Sequence, residues 1–230
     1  MKSDRIKALN AQFEINYNSW TQEQTDKHCR IKQWNFPIII SAPHAVNHIR
    51  NWELLKADLQ TWWIALYLSE KFNLSCVYST SSLVWDPNFD SYENSEYKKL
   101  LKEYVSNNNI KLLIDLHWCW SERDFAIELW TWWDTHKNLL WNQKLLSIIQ
   151  DNLSSSLNSY LKHNQQSITL NSIFPASNPN TISSFTSSQL KIPSIQIEIN
   201  NSLREEKNLD LLIQALENTI EHLLEYFSTN

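Results

Sequence analysis

Five short apolar runs punctuate the chain, at residues 36–41, 74–79, 110–117, 125–129 and 194–199. Each has the length of a strand and is rich in β-forming residues, so each predicts a β-strand. Between them, apolar residues recur at helical spacing over residues 54–72, 92–107, 137–162 and 206–227. Strands alternating with helices predict an α/β fold, a mostly parallel mixed central sheet flanked by helices. The runs Pro37-Ile38-Ile39-Ile40 and Leu112-Leu113-Ile114 lack polar alternation and read as buried central strands, with a site expected at their C-terminal ends. Residues 154–188 are rich in Ser, Asn, Gln and Thr and contain Pro175 and Pro179. That composition predicts a long loop, either a lid or a surface insertion without a role. No repeat, heptad or linker divides the chain, so residues 1–230 read as a single domain.

Charge narrows the partners. A net charge of -5 with thinly spread Lys and Arg leaves no basic stripe, which argues against nucleic acid. The leading MKSDRIKALNAQFEINYN carries frequent charges and no apolar signal core, and no stretch reaches the about 18 apolar residues of a membrane span. Cys29, Cys76 and Cys119 form no CxxC pair, which fits a reducing compartment, so the expectation is a cytoplasmic protein without a membrane partner.

Composition adds an anomaly: the chain has no glycine and 12 tryptophans. Ordinary usage of ~7% predicts about 16 glycines in a chain of this length. Several tryptophans occupy turn-like settings, among them Gln33-Trp34-Asn35, Asn51-Trp52-Glu53, Trp85-Asp86-Pro87 and Thr131-Trp132-Trp133. The reading adopted is that many are glycine positions, through a genetic code in which UGA means glycine or through replacement. A bulky ring cannot do glycine's backbone work where φ is positive.

Three strand ends carry candidate chemistry. Ser41-Ala42-Pro43-His44 ends a buried strand in a proline turn and presents an imidazole at the sheet edge. Taken alone, such a histidine is more often structural, and His48 reads as a supporting or exposed residue. In Leu112-Leu113-Ile114-Asp115-Leu116-His117, period two puts Asp115 and His117 on one face, with the carboxylate ligating a metal or orienting an imidazole. In Ile195-Gln196-Ile197-Glu198-Ile199-Asn200, the three polar residues share a face. There Glu198 could move a proton beside a metal, although ordinary edge-strand alternation explains this segment equally well.

Together the segments resemble the N-formylglutamate amidohydrolase family, relatives of the zinc carboxypeptidase and aspartoacylase group. The resemblance spans about residues 36–204 and rests on SAPHAVNHIR, KADLQT, WDPNFD, LLIDLHWCW and IPSIQIEINNSLR, in that order. It implies a phosphorylase/hydrolase-like fold, a Zn2+ cofactor, His44 and His117 as ligands, and Glu198 as the general acid/base. Asp58 in KADLQT matches the family's acidic position, and Glu53 is the alternative third ligand. The substrate implied is a small N-acyl amino acid of N-formylglutamate type. This chain departs from the family in LVWDPNFD, which lacks the arginines associated with binding a substrate carboxylate. Arg50, Arg204 and Arg123 remain as candidate clamps, because guanidinium binds carboxylates bidentately. Two other readings share the residues: a hydrolase of peptide or cell-wall amides using the same metal site, and a catalytically decayed metal- or ligand-binding protein. Even with glycine at every tryptophan, no dinucleotide or P-loop glycine motif and no GxSxG elbow arises.

Overall fold

The computed structural model describes residues 28–80, 85–133, 136–173 and 178–229. The leading residues and Pro175 therefore lie outside the described residues. Within them, one seven-stranded sheet runs in the order β1-β5-β2-β6-β9-β7-β8. Its strands are β1 (Cys29–Lys32), β2 (Ile38–Ala42), β5 (Ser75–Ser79), β6 (Leu112–Cys119), β7 (Phe125–Trp130), β8 (Ser167–Leu170) and β9 (Ser194–Asn200). The central strands β5, β2, β6 and β9 are mutually parallel, β1 is antiparallel to β5, and β7 is antiparallel to β9. This is the mostly parallel mixed α/β sheet expected from the periodicity. A separate hairpin pairs β3 (His48–Arg50) with β4 (Glu53–Leu55).

Helices cover both faces. On one face α1 (Thr61–Phe72), α3 (Gln143–Asn164) and α6 (Glu206–Thr229) bury Trp63, Leu68, Leu153, Leu157, Leu212 and Ile220 in the larger core. On the other, α2 (Glu96–Asn107) and the short α4 (Ile182–Phe185), extended by a π-helical turn over Thr186–Leu190, bury Tyr97, Leu101, Ile182 and Phe185. A one-turn helix, α5 (Asn201–Arg204), follows β9. No described helix is long and apolar enough to cross a membrane.

All five expected strands occur within about two residues of the predicted bounds, because unbroken apolar runs admit few alternatives. The short β1, β3, β4 and β8 escape a pattern search, being three or four residues long and partly exposed. Two expectations need correction. The helix expected over residues 54–72 starts at Thr61, since residues 53–55 form β4 and Gln60 precedes the helix with φ 78°. The helix expected over residues 137–162 starts at Gln143, after a short 3-10 turn at Lys137–Leu139, and runs to Asn164, so the polar segment over residues 154–188 opens on helix before β8 and α4. Leu146, Ile149, Leu153, Leu157 and Tyr160 form its buried stripe at the helical spacing read from the sequence.

The chain leaves β2 toward β5 on one side and leaves β6 toward β9 and β7 on the other, so the C-terminal ends of β2 and β6 flank the switch point where open α/β sheets bind ligands.

The turns speak to the tryptophan anomaly. Trp52, Trp132, Trp133 and Trp141 all have positive φ, at 68°, 72°, 47° and 61°. Trp34, Trp85 and Trp118 do not, so the glycine reading gains backbone support at only some of its positions. Asn51 (φ 51°) and Trp52 form the two-residue turn between β3 and β4. Positive φ at both positions is the type I′ pattern that selects Asn-Gly, and the Trp52 side chain is 99% exposed. A left-handed L-residue costs roughly 1–2 kcal/mol, and glycine's added chain entropy offsets part of the relief. Trp52→Gly, Trp132→Gly, Trp133→Gly and Trp141→Gly are each expected to raise unfolding free energy by about 0.5–1 kcal/mol in urea titrations. Unchanged or lower midpoints would leave the glycine reading without a physical basis.

Candidate metal centre

His44 stands two residues beyond β2 in a turn that its neighbours hold fixed. Ser79 Oγ donates to the Pro43 carbonyl at 2.6 Å, and the Ala42 N–H donates to the buried Tyr97 hydroxyl at 3.2 Å. The Asp58 N–H then donates to the His44 carbonyl at 2.8 Å, returning the chain to the same point after the hairpin. Thr61 caps the start of α1 on the Asp58 carbonyl through both its N–H, at 3.2 Å, and its hydroxyl, at 2.8 Å. His117, near the end of β6, comes up from the neighbouring strand, and the His44 and His117 rings meet edge to face at 4.7 Å.

Asp58 lies between the two imidazoles. Its Oδ2 is 3.4 Å from His44 Nδ1 and 3.1 Å from His117 Nδ1. A tetrahedral zinc with bonds of ~2.0–2.1 Å separates its ligand atoms by roughly 3.3 Å, so the donor set suits that ion. The far nitrogen of each ring faces another carboxylate: His44 Nε2 lies 2.8 Å from Asp86 Oδ1, and His117 Nε2 lies 3.2 Å from Asp115 Oδ2. Such outer carboxylates would hold a proton on Nε2 of each ring and leave Nδ1 the atom available to an ion.

Among the described residues, His44, His48 and Asp86 form a second group with metal-binding spacing. Two observations disfavour it. The His44 and His48 rings stack 4.0 Å apart and 5° from parallel, so their in-plane lone pairs do not converge on a common ion. In addition, Arg50 Nε already donates to Asp86 Oδ2 at 2.6 Å, placing a fixed cation there. His48 is buried rather than exposed, and burial together with the neighbouring His44 charge pushes it down to about 4, so it stays neutral.

The electrostatics favour positive charge between the rings. Burial alone would lower His44 and His117, but hydrogen bonds from Asp58 and Asp86 raise the first, and the charge and hydrogen bonds of Asp115 and Asp58 raise the second. Burial would raise Asp58, yet the two histidines hold it well below the usual carboxylate range. Asp86 is likewise held low by His44 and Arg50, against the cost of its burial. A dication bound by the same atoms meets the same demand.

Strand register places Glu198 of β9 directly opposite His117 of β6 and directly opposite Glu128 of β7. Glu198 is buried, accepts a 2.9 Å hydrogen bond from Gln196 Nε2, and is pushed up to about 7 by burial, with His117 acting in the opposite direction. Arg50 sits beside the site but commits its Nε to Asp86. Arg204 Nε donates to Asn201 Oδ1 at 2.7 Å and its NH1 to the Leu59 carbonyl at 3.0 Å, while the guanidinium stacks 5.0 Å above Trp118. Glu53 is exposed on β4 and belongs to neither metal-binding group. Asp86 was not singled out from the sequence. Its signal was an acid followed by proline in Asp86-Pro87, a pairing whose burial only the fold reveals.

No protein-family model matches the chain, and a comparison with curated proteins finds no match. By shape, the chain is similar to a bacteriophage poly-gamma-glutamate hydrolase, with TM-score 0.51 and 15% identity over 95% of this chain and 97% of that one. It is also similar to an N-formylglutamate amidohydrolase from Ralstonia eutropha JMP134, with TM-score 0.55 and 10% identity over 86% of this chain and 97% of that one. A metallo-carboxypeptidase from Burkholderia cenocepacia gives TM-score 0.57 and 9% identity over 94% of this chain and 69% of that one. At these identities the likeness establishes a shared fold.

Proposed function

We propose that the chain is a zinc-dependent amidohydrolase that cleaves the amide bond of a small N-acyl amino acid of N-formylglutamate type. His44, Asp58 and His117 are the metal ligands and Glu198 is the catalytic carboxylate. One observation carries the reading: Asp58 Oδ2 lies 3.4 and 3.1 Å from two Nδ1 atoms whose rings are each backed by a carboxylate, with Glu198 in register beside them. The names of the similarly folded proteins, amidohydrolase and metallo-carboxypeptidase among them, agree with this chemistry.

Bound zinc supplies Lewis acidity toward an amide carbonyl and toward water. The chain's own residues do the rest. Glu198, steadied by Gln196, takes a proton from the attacking water and returns it to the departing nitrogen. Asp86 and Asp115 hold the imidazole tautomers, and Arg50 keeps Asp86 in place. Arg204 is the anchor for a substrate carboxylate, with Arg50 the alternative. A peptide or polyamide substrate on the same metal site is the second reading, supported by the likeness to a poly-gamma-glutamate hydrolase.

Purified protein is expected to bind about one zinc per chain, and His44→Ala or His117→Ala should abolish uptake as read by elemental analysis. Full occupancy in the double variant would refute the assignment. Glu198→Gln should keep its zinc and its fold yet lose kcat by ~100-fold or more on an N-acyl amino acid substrate. Glu198 must be a carboxylate to accept a proton, so activity should fall as pH drops through its pKa. Burial sets that pKa at about 7, and a bound dication lowers it. The acid limb should be missing from the residual rate of Glu198→Gln. An unchanged limb would move the base elsewhere.

A further inference from the structure

Lys98, in the first turn of α2, has 0% of its surface exposed. An ammonium group in the interior costs several kcal/mol unless charge and hydrogen bonds compensate it. Its Nζ donates to the main-chain carbonyl of Asp90 and lies 5.9 Å from the centre of the Phe185 ring. Asp90 closes a turn on Asp86: its Oδ2 accepts from the Asp86 N–H at 2.8 Å, and its own N–H donates to the Asp86 carbonyl at 2.9 Å. From that turn the Asp86 carboxylate reaches His44 and Arg50.

The charge balance points the same way. Asp58, Asp86, Asp115, Glu128 and Glu198 all sit at or beneath the catalytic edge, four of them buried and Asp58 half-buried. A dication and Arg50 leave part of that charge unmatched. Asp115 meets His117 Nε2 through Oδ2 at 3.2 Å, while its Oδ1 is buried without a hydrogen-bond partner among the described residues, which adds to the unmatched charge. Burial pushes Lys98 down to about 8, against the pull of Asp86, Asp90 and Asp115, so it remains a cation at neutral pH.

We propose that Lys98 is a positioning residue of the metal centre: it pins the Asp86 turn through the Asp90 carbonyl and supplies buried charge beside it that keeps Asp86 aligned on His44. The inference rests on the zinc-site reading above, and its test includes a measurement that needs no zinc. In metal-free protein at neutral pH, NMR reads the exchange of the His44 Nε2 proton with water. In wild type, Asp86 should protect that proton. Lys98→Met should speed the exchange and, by chelator competition, weaken zinc affinity by ~10–100-fold, the usual effect of losing an outer partner of a metal ligand. Lys98→Arg, which keeps the charge, should restore most of both. A merely structural lysine would lower the melting temperature of Lys98→Met while leaving the exchange rate and zinc affinity as in wild type, and that result overturns the proposal. Should Lys98→Met not fold, Lys98→Gln, which removes the charge but keeps a polar side chain, is read by the same two measurements, with faster exchange and weaker zinc affinity expected and wild-type values overturning the proposal. If wild type itself takes up no zinc, the metal reading fails, while the proton-exchange measurement still decides whether Lys98 holds Asp86 on His44.

Discussion

Carboxylates buried at the end of an apolar sheet dominate this architecture. Each must be matched by positive charge or by hydrogen bonds, because an unmatched one costs several kcal/mol. The fold meets that demand in pairs: Asp58 against two histidines, Asp86 against His44 and Arg50, and Asp115 against His117. Glu128 solves the problem differently, with one oxygen accepting from the Ser172 N–H and hydroxyl and the Ile173 N–H, at 2.6, 2.6 and 2.7 Å. Glu198 has only Gln196, and it is the group whose proton affinity burial raises to about 7. That contrast separates the carboxylate suited to proton transfer from those suited to holding charge.

How much of this is legible in the chain depends on how each residue reaches the site. Period two puts Asp115 and His117 on one face of their strand and Gln196, Glu198 and Asn200 on one face of theirs, while the register that sets Glu198 opposite His117 is supplied by the fold. His44 is legible because a buried run ends immediately before it. Asp58 and Asp86 arrive from loops, and no periodicity marks where a loop returns. Asp58 was reachable only through the KADLQT resemblance, and Asp86, though it lies in the WDPNFD motif, was given no role there. What carries Asp58 home is one main-chain hydrogen bond to His44, an interaction any residue type at that position can make. His48 shows the same limit in reverse, since its burial against His44 follows from the hairpin rather than from its neighbours in sequence.

The turns show what a chain without glycine must do. Twelve described residues take positive φ, and asparagine, the residue most tolerant of that region after glycine, fills three of them at Asn51, Asn73 and Asn171. Leu140 and the four tryptophans have no such tolerance, and three of those tryptophans, Trp52, Trp133 and Trp141, are exposed. Exposed rings at left-handed positions gain little packing to offset the backbone cost. The physics therefore ties the missing glycines to the surplus tryptophans at particular turns, whereas Trp63, fully buried in α1, packs as an ordinary core residue.

The stretch that composition marks as loop shows why polar residues are a poor guide to exposure near a site. Ser183, Ser184, Thr186 and Ser187 are all buried, on the helical turn that packs over the polar face of the sheet. Ser194 on β9 donates to the Ser183 carbonyl at 2.6 Å, Ser187 donates to Asn138 Oδ1 at 2.9 Å, and the Ile182 N–H donates to Asn88 Oδ1 at 2.7 Å. The last bond joins this cover to the turn that carries Asp86, since the Asn88 N–H also donates to Asp86 Oδ1 at 2.8 Å. A face lined with carboxylates would strand acceptors under a purely aliphatic cover, so hydroxyls and amides stand in this cover beside Ile182 and Phe185. The opposite face is packed mainly by leucine and isoleucine, with the buried Glu217 accepting from the Tyr67 hydroxyl at 2.5 Å. The polar bias of residues 154–188 is thus partly a consequence of which side of the sheet the segment covers.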